Sequence, residues 1–500
     1  MNACGKTLWS RRGGIVALLA AAVVTEVVAA APVGSAGTSA RTASLAVKPA
    51  PARVRLPKTA SAASPIQHVV VIYLENHSFD NVLGFWCDQQ PGRCPDGGMP
   101  SSVTLSDGTV VTPGTATDKV PNVLHSVAGQ QAALNIQGGV PRMNGWQDIP
   151  DNSCAASTGY RCITGFQPSQ VANLTTLAGR FAISDDTFSM ADSPSWGGHL
   201  YAVAGTLDSF TGNNPYAPKG TTGANGWGCD GDKVTQWISP AGKQRTVPSC
   251  VPDPGLPTAQ YPYGGAFRAT PVKYVPTIMD RLDAARLSWK IYGAQGQSTA
   301  GYDWSICPSE AECLYTSQDQ NLVPSAGFQA DALAGNLPAF SVVTPGGSTT
   351  KDSCHNLTSM TACDNWAGSL VQSVENGPDW ASTAVFITFD DCGCFYDQVP
   401  PPKAPDGTQE GPRMPLIIVS PYAKPGYTDT TPASFASILA YTEHTFGLAP
   451  LATNDAQAYD FSGAFNYFQA PLRPARMVSW PLPYWARHIR LTRDMLDDPT

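Results

Sequence analysis

Three groups of residues in this 500-residue chain have the types and spacing to do chemistry. Asp390 and Asp391 follow Ala384 to Phe389, an apolar, β-branched and aromatic run of the kind that forms a strand covered on both faces. Glu75 and Asn76 end a second such run, His68 to Leu74. Ser195 stands in Asp192-Ser-Pro-Ser-Trp-Gly-Gly-His199, where Pro194 and the glycines mark a tight turn and the residues from Leu200 suit a helix. Two carboxylates about 4 Å apart repel by roughly 4 kcal/mol at a protein-like dielectric. A proton or a cation must relieve that repulsion, and a divalent metal is the commoner solution for an Asp-Asp pair. Ser195, at a helix start, would lie among free backbone N–H groups that favour an anion, which suits attack on phosphorus. Plainer roles stay open at this point: an exposed acidic turn for Asp390 and Asp391, a turn former for Asn76, an N-cap for Ser195.

The elements that must hold these groups alternate along the chain. Helices are expected from Leu174 to Ala178, Thr277 to Arg286, at Asp364-Asn365-Trp366, and around Phe435 to Thr445. Strands are expected at Phe181 to Ser184, Ser288 to Tyr292, Leu337 to Thr344 and, as a final parallel-type strand, Met414 to Ser420. That alternation implies an α/β fold, a doubly wound and mostly parallel sheet with helices on both faces. The carboxyl ends of such strands are where α/β proteins place chemistry. Asp185 and Asp186 also follow a strand, and fit a turn cap as well as a ligand. Residues 205–270, rich in Gly, Asn and Pro, read as an inserted loop region or lid.

Charged residues make up 14% of the chain and the formal net charge is −8, so no basic field exists to hold a nucleic-acid backbone. Arg11 and Arg12 precede the apolar run Ile15 to Val24, with small residues through Ala31. This is the pattern of an export signal over 1–31, with a hint of the twin-arginine route; Glu26 interrupts a run already too short for a stable membrane span. Residues 32–64 lack periodicity and read as a disordered lead-in. Removal of the leader, and of Cys4 with it, leaves twelve cysteines in sequential neighbours: Cys87 with Cys94, Cys154 with Cys162, Cys229 with Cys250, Cys307 with Cys313, Cys354 with Cys363. Short-range bridges stapling long loops are the preferred pairing, and no C-x-x-C pair supports zinc. Cys392 and Cys394 could bridge each other or a distant partner.

Taken together, HVVVIYLENHSFDNVLG, SPSWGGHLY and FITFDDCGCFYDQVPPP followed by GPRMPLIIVSPYA resemble the bacterial phosphoesterase family of secreted phospholipases C and a metal-dependent acid phosphatase. The likeness spans about residues 65–470, leaving 471–500 as a C-terminal tail. It implies an alkaline-phosphatase-like fold and one divalent metal held by Glu75, Asn76, Ser195, Asp390 and Asp391, with Ser195 as nucleophile. His125, His199 and His355 fall in stretches similar to the family's histidine-bearing segments, which implies catalytic imidazoles. The family usually has Asp-His-Val where this chain has Asp397-Gln398-Val399, and glutamine cannot carry a proton near neutral pH. The implied substrate is a phosphate ester, soluble phosphomonoester or phospholipid, met outside the cell. Two rivals need different residues. A metal-free serine esterase needs Ser195, a histidine such as His444 and an acid. A non-catalytic secreted calcium-binding protein keeps the carboxylates and tolerates loss of Ser195.

Overall fold

The computed structural model describes residues 64–256 and 270–491, so the expected leader and nearly all of the lead-in lie outside the described residues. Eight strands form the central sheet: β1 (His68–Leu74), β2 (Ala182–Ser184), β3 (Trp289–Gly293), β4 (Leu322–Pro324), β5 (Phe340–Val343), β6 (Thr383–Phe389), β7 (Leu416–Val419) and β8 (Thr428–Asp429). Their order across the sheet is β4-β3-β5-β1-β6-β7-β2-β8. All seven residues of β6 and six of the seven in β1 are buried, which is why these runs show no alternation of polar and apolar residues. Each buried Val, Ile or Phe side chain there contributes roughly 1.5–3 kcal/mol of transfer free energy.

The helices that bear on the site are α1 (Val127–Leu134), α2 (Ala172–Arg180), α3 (Ser195–Ala204), α4 (Ile278–Ala285), α5 (Phe328–Ala334), α6 (Met360–Asn376) and α7 (Phe435–Phe446). One layer joins α3 to α4 and α7; the other joins α6 to α2 and α5. Tyr73 of β1 and Phe386 of β6 pack on Phe435 and Tyr441 of α7. The α/β fold with covered faces is therefore as the alternation implied, and the five short-range disulfides form as paired in the sequence.

Four details differ. β7 runs antiparallel to both β6 and β2, while the other pairings in this sheet are parallel. No helix lies between Asp391 and Pro415, so the chain turns back at the rim where β6 ends; a parallel strand would need a crossover. α6 opens at Met360 behind the N-cap Ser359, and Asp364 instead accepts the N–H groups of Asn173 and Leu174 at the start of α2. The Gly-rich region contains a β-hairpin, Val234–Ile238 with Gln244–Pro248. Cys392 and Cys394 are buried free thiols. Among the described residues past 470, Ala475, Met477, Val478 and Trp480 donate main-chain N–H groups to Glu375, Gln372, Asn173 and Asn365.

Candidate active site

Register brings the two acidic strand ends together. Leu74 pairs with Phe389, so Glu75 and Asp390 leave adjacent strands side by side. Asn76 follows at φ 60°, a left-handed conformation that Asn tolerates, and its N–H donates to Asp390 Oδ1 at 2.9 Å. Asp391 turns the other way: its Oδ1 accepts the N–H of Gly393 at 2.7 Å and its Oδ2 accepts the Ser195 hydroxyl at 3.1 Å. Gly393 has φ +55°, and a Cβ there would fall 2.1 Å from the Asn76 carbonyl oxygen, so glycine is needed for this turn.

Ser195 is the first residue of α3, behind Pro194. The helix can approach because Gly198 has no Cβ, which would otherwise stand 2.5 Å from the Asp390 carbonyl oxygen. One turn on, His199 Nε2 lies 3.3 Å from Glu75 Oε1 and 3.8 Å from Asp390 Oδ2. Ligand atoms of Glu75, His199 and Asp390 all lie within 4.8 Å of one another, a buried group suited to a metal. His199, expected among the catalytic imidazoles, thus stands on the carboxylate side of the site.

His125 and His355 stand on the other side, ring centroids 6.0 Å apart. Both are buried; His125 lies just before the N-cap Ser126 of α1 and His355 in the loop after β5. Each Nδ1 faces a backbone carbonyl, Val123 at 3.0 Å for His125 and Asn356 at 3.3 Å for His355. Each Nε2 faces the side-chain amide of Asn76, at 2.9 and 3.2 Å. All the expected site residues, Glu75, Asn76, His125, Ser195, His199, His355, Asp390 and Asp391, therefore converge on one buried place.

Around it stand further residues, most of which the sequence did not single out. Arg413, fully buried, reaches Asp80 Oδ1 at 2.9 Å and Asp397 Oδ1 at 3.1 Å, and lies over the Phe79 ring. Burial works against the guanidinium charge, yet Asp397 and Asp80 outweigh it and hold the Arg413 pKa above its ordinary value. Burial pushes both carboxyls up, and the arginine opposes it. Gln398 belongs to this network, with its N–H on Asp80 Oδ2 at 3.2 Å and its side-chain amide on the Gly98 carbonyl. His77 stacks on Phe395 and bonds Asn81 and the Cys354 carbonyl, with burial lowering its pKa to about 4; its contacts are structural. Trp304, in the loop after β3, stands 5.6 Å from the His355 ring, and Trp227, from the insert, 6.5 Å from that of His199. A cavity of about 350 Å³ lined by Phe188, Tyr201, Asp406 and Glu410 contains none of the site residues.

A carboxylate, amide, hydroxyl and imidazole cluster at the strand ends of an α/β sheet is a set of groups compatible with hydrolytic chemistry. The chain belongs to the Phosphoesterase family, whose model matches residues 66–449. It is similar to non-specific phospholipase C1 of Arabidopsis thaliana, 23% identical over 453 residues that cover 81% of this chain and 72% of that one. Phospholipase C A of Mycobacterium tuberculosis is 24% identical over 472 residues, covering 83% and 80%. Among solved structures, an alkaline phosphatase superfamily protein from Vibrio parahaemolyticus matches 59% of this chain and 64% of its own, at 11% identity and a TM-score of 0.32. The protein is a hydrolase acting on phosphoric ester bonds.

Proposed function

We propose that this is an exported, divalent-cation-dependent phosphoesterase that uses Ser195 as its nucleophile. The observation that carries the cation is the Asn76 amide. One end of it lies 2.8 and 3.0 Å from the two Asp390 oxygens, 3.3 Å from Glu75 Oε2 and 3.2 Å from Ser195 Oγ. The other end faces the two histidine Nε2 atoms. If the NH₂ faced the acids, the amide oxygen would need an N–H from both imidazoles. Each ring already aims Nδ1 at a carbonyl, so both would have to be doubly protonated. With the NH₂ toward the histidines, its two hydrogens meet two lone pairs. The amide oxygen then points into a group of oxygens, an arrangement that a cation makes favourable.

Glu75, Asn76, Ser195, Asp390 and Asp391 would hold the ion, with His199 as a nitrogen donor. Such a cation neutralises the acids and lowers the pKa of a bound hydroxyl. Asp391 orients Ser195 and takes its proton; the Oγ–P bond forms as the ester P–O bond breaks, leaving a phosphoserine that water hydrolyses. His125 and His355, whose Nε2 lone pairs receive the Asn76 NH₂, hold that amide with its oxygen toward the ion, and the leaving group takes its proton from solvent. Ser195, Glu75 and Asp390 have no exposed surface, so the packing around them, where Trp227 and Trp304 stand beside His199 and His355, must open to admit a substrate. Trp227 and Trp304 share one apolar cluster with Trp196 and Leu200 of α3.

The metal-free esterase is disfavoured because His444 is 63% exposed at the end of α7 and pairs with Asp460 at 2.8 Å. The names of the relatives favour phospholipid as substrate, and five disulfides favour an oxidising compartment. No described helix is long and apolar enough to cross a membrane. The test is hydrolysis of p-nitrophenyl phosphate and of phosphatidylcholine, each before and after dialysis against a strong chelator. Metal-restored turnover of either supports the assignment, and the faster one names the substrate. Full activity without metal contradicts it.

A further inference from the structure

The segment after residue 470 carries a surface that the catalytic site does not use. Ala475, Met477 and Trp480 donate main-chain N–H groups to Glu375, Gln372 and Asn365 of α6, and Val478 donates to Asn173 of α2, which lays residues 475–480 antiparallel to α6. The spans agree: ten helical residues rise about 15 Å, and five extended ones cover about 17 Å. With the backbone held, Ala475 is buried and Met477 half-buried, while Arg476, Val478 and Trp480 face outward. The chain then forms a short helix, Tyr484–Arg487, where Trp485 packs under Lys119 at 5.9 Å.

This end of the segment lies at the rim that carries the site. Lys119 bridges Ser359, the N-cap of α6, and Val120 bonds Leu357 and Thr358. His125 follows six residues after Lys119 and His355 stands four residues before Ser359, so both chains run from this contact into the site. Trp480 is 50% exposed and Tyr484 72%, an unusual outlay of aromatic surface for a water-facing segment. Arg487 and Arg490 are exposed beside them. Between Asp460 and Asp494 the chain has no carboxylate side chain, although its formal net charge is −8.

We propose that Val478, Trp480 and Tyr484, with Arg476, Arg487 and Arg490, form a patch that seats the protein on an anionic phospholipid surface. Trp and Tyr rings settle at the headgroup level, and arginines are drawn by the negative surface potential. The placement brings the site rim to the lipid, and so extends the phosphoesterase assignment, on which its purpose rests. Its physical test does not depend on turnover. The full chain is sedimented with vesicles of phosphatidylcholine containing phosphatidylglycerol, and with phosphatidylcholine alone. Wild type should bind the anionic vesicles and lose them in high salt. Arg476→Gln, Arg487→Gln and Arg490→Gln should each weaken binding about fivefold, and Trp480→Ser with Tyr484→Ser should weaken it at least tenfold. Every variant should keep its melting temperature and its hydrolysis of soluble p-nitrophenyl phosphate. Wild type that ignores anionic vesicles, or variants that bind as wild type does, would overturn the patch. Loss of soluble-ester turnover in wild type would instead count against the catalytic assignment alone.

Discussion

Two groups of buried carboxylates lie at the same rim of the sheet, and they have different neighbours. Asp80 and Asp397 enclose Arg413, which bonds both and donates a further N–H to the Asp185 carbonyl. Around Glu75 and Asp390 stand the His199 imidazole and the Asn76 amide. The first group carries its own counter-charge and acts as a clamp. It ties the loop after β1 to the loop after β6 and to the approach to β7. The second is where the proposed cation would sit, so an acidic cluster is better judged by the groups around it than by how many acids it contains.

The comparison can be broken at either end. The largest effect is expected at Ser195. Ser195→Ala should lower kcat by several orders of magnitude and change the melting temperature little, while Ser195→Thr should retain measurable turnover that a chelator removes. A mere helix cap would show the reverse, about 1 kcal/mol of stability lost and activity kept. Next is the clamp. Arg413→Met leaves Asp80 and Asp397 buried without a counter-charge, and should cost about 3–5 kcal/mol in denaturant melts whether or not metal is present. A metal-dependent loss would mean that the two groups are one.

A third test, with no effect expected near pH 5, concerns a carboxyl that has Ser434 rather than a cation as its partner. Burial lifts Glu410 from its ordinary 4.5 to about 8. The native state therefore keeps a proton that the unfolded chain releases above about pH 4.5, and this contribution is full below that pH and is lost as pH rises toward 8. Glu410→Gln, which imitates the neutral form, should melt with wild type near pH 5 and above it near pH 9. A shift of the same size at both pH values would show that the carboxyl does not titrate in this range.

Much of the site was legible because its signals are local. Unbroken apolar runs ending in acids mark β1 and β6, and sheet register does the rest. The five bridges close short loops, so proximity in sequence was enough. The clamp left no such trace. Arg413 and Asp80 are 333 residues apart, and neither interrupts a periodic pattern. Trp227 and Trp304 sit in loops whose path over the site depends on the fold. The direction of β7 was readable from the missing crossover helix, although a strand's own residues do not reveal it. His199 fell between roles because spacing along α3 places it one turn from Ser195 without saying which side of Asn76 it meets.

The central claim is that the Glu75, Asn76 and Asp390 oxygens are arranged around a divalent cation. Elemental analysis of the purified chain, set beside the Asp390→Asn variant, tests it most directly. The account predicts one equivalent of divalent metal per wild-type chain, and its loss from a variant that still melts cooperatively. Metal-free wild type with full phosphoesterase activity, or a variant that keeps its metal, would contradict it.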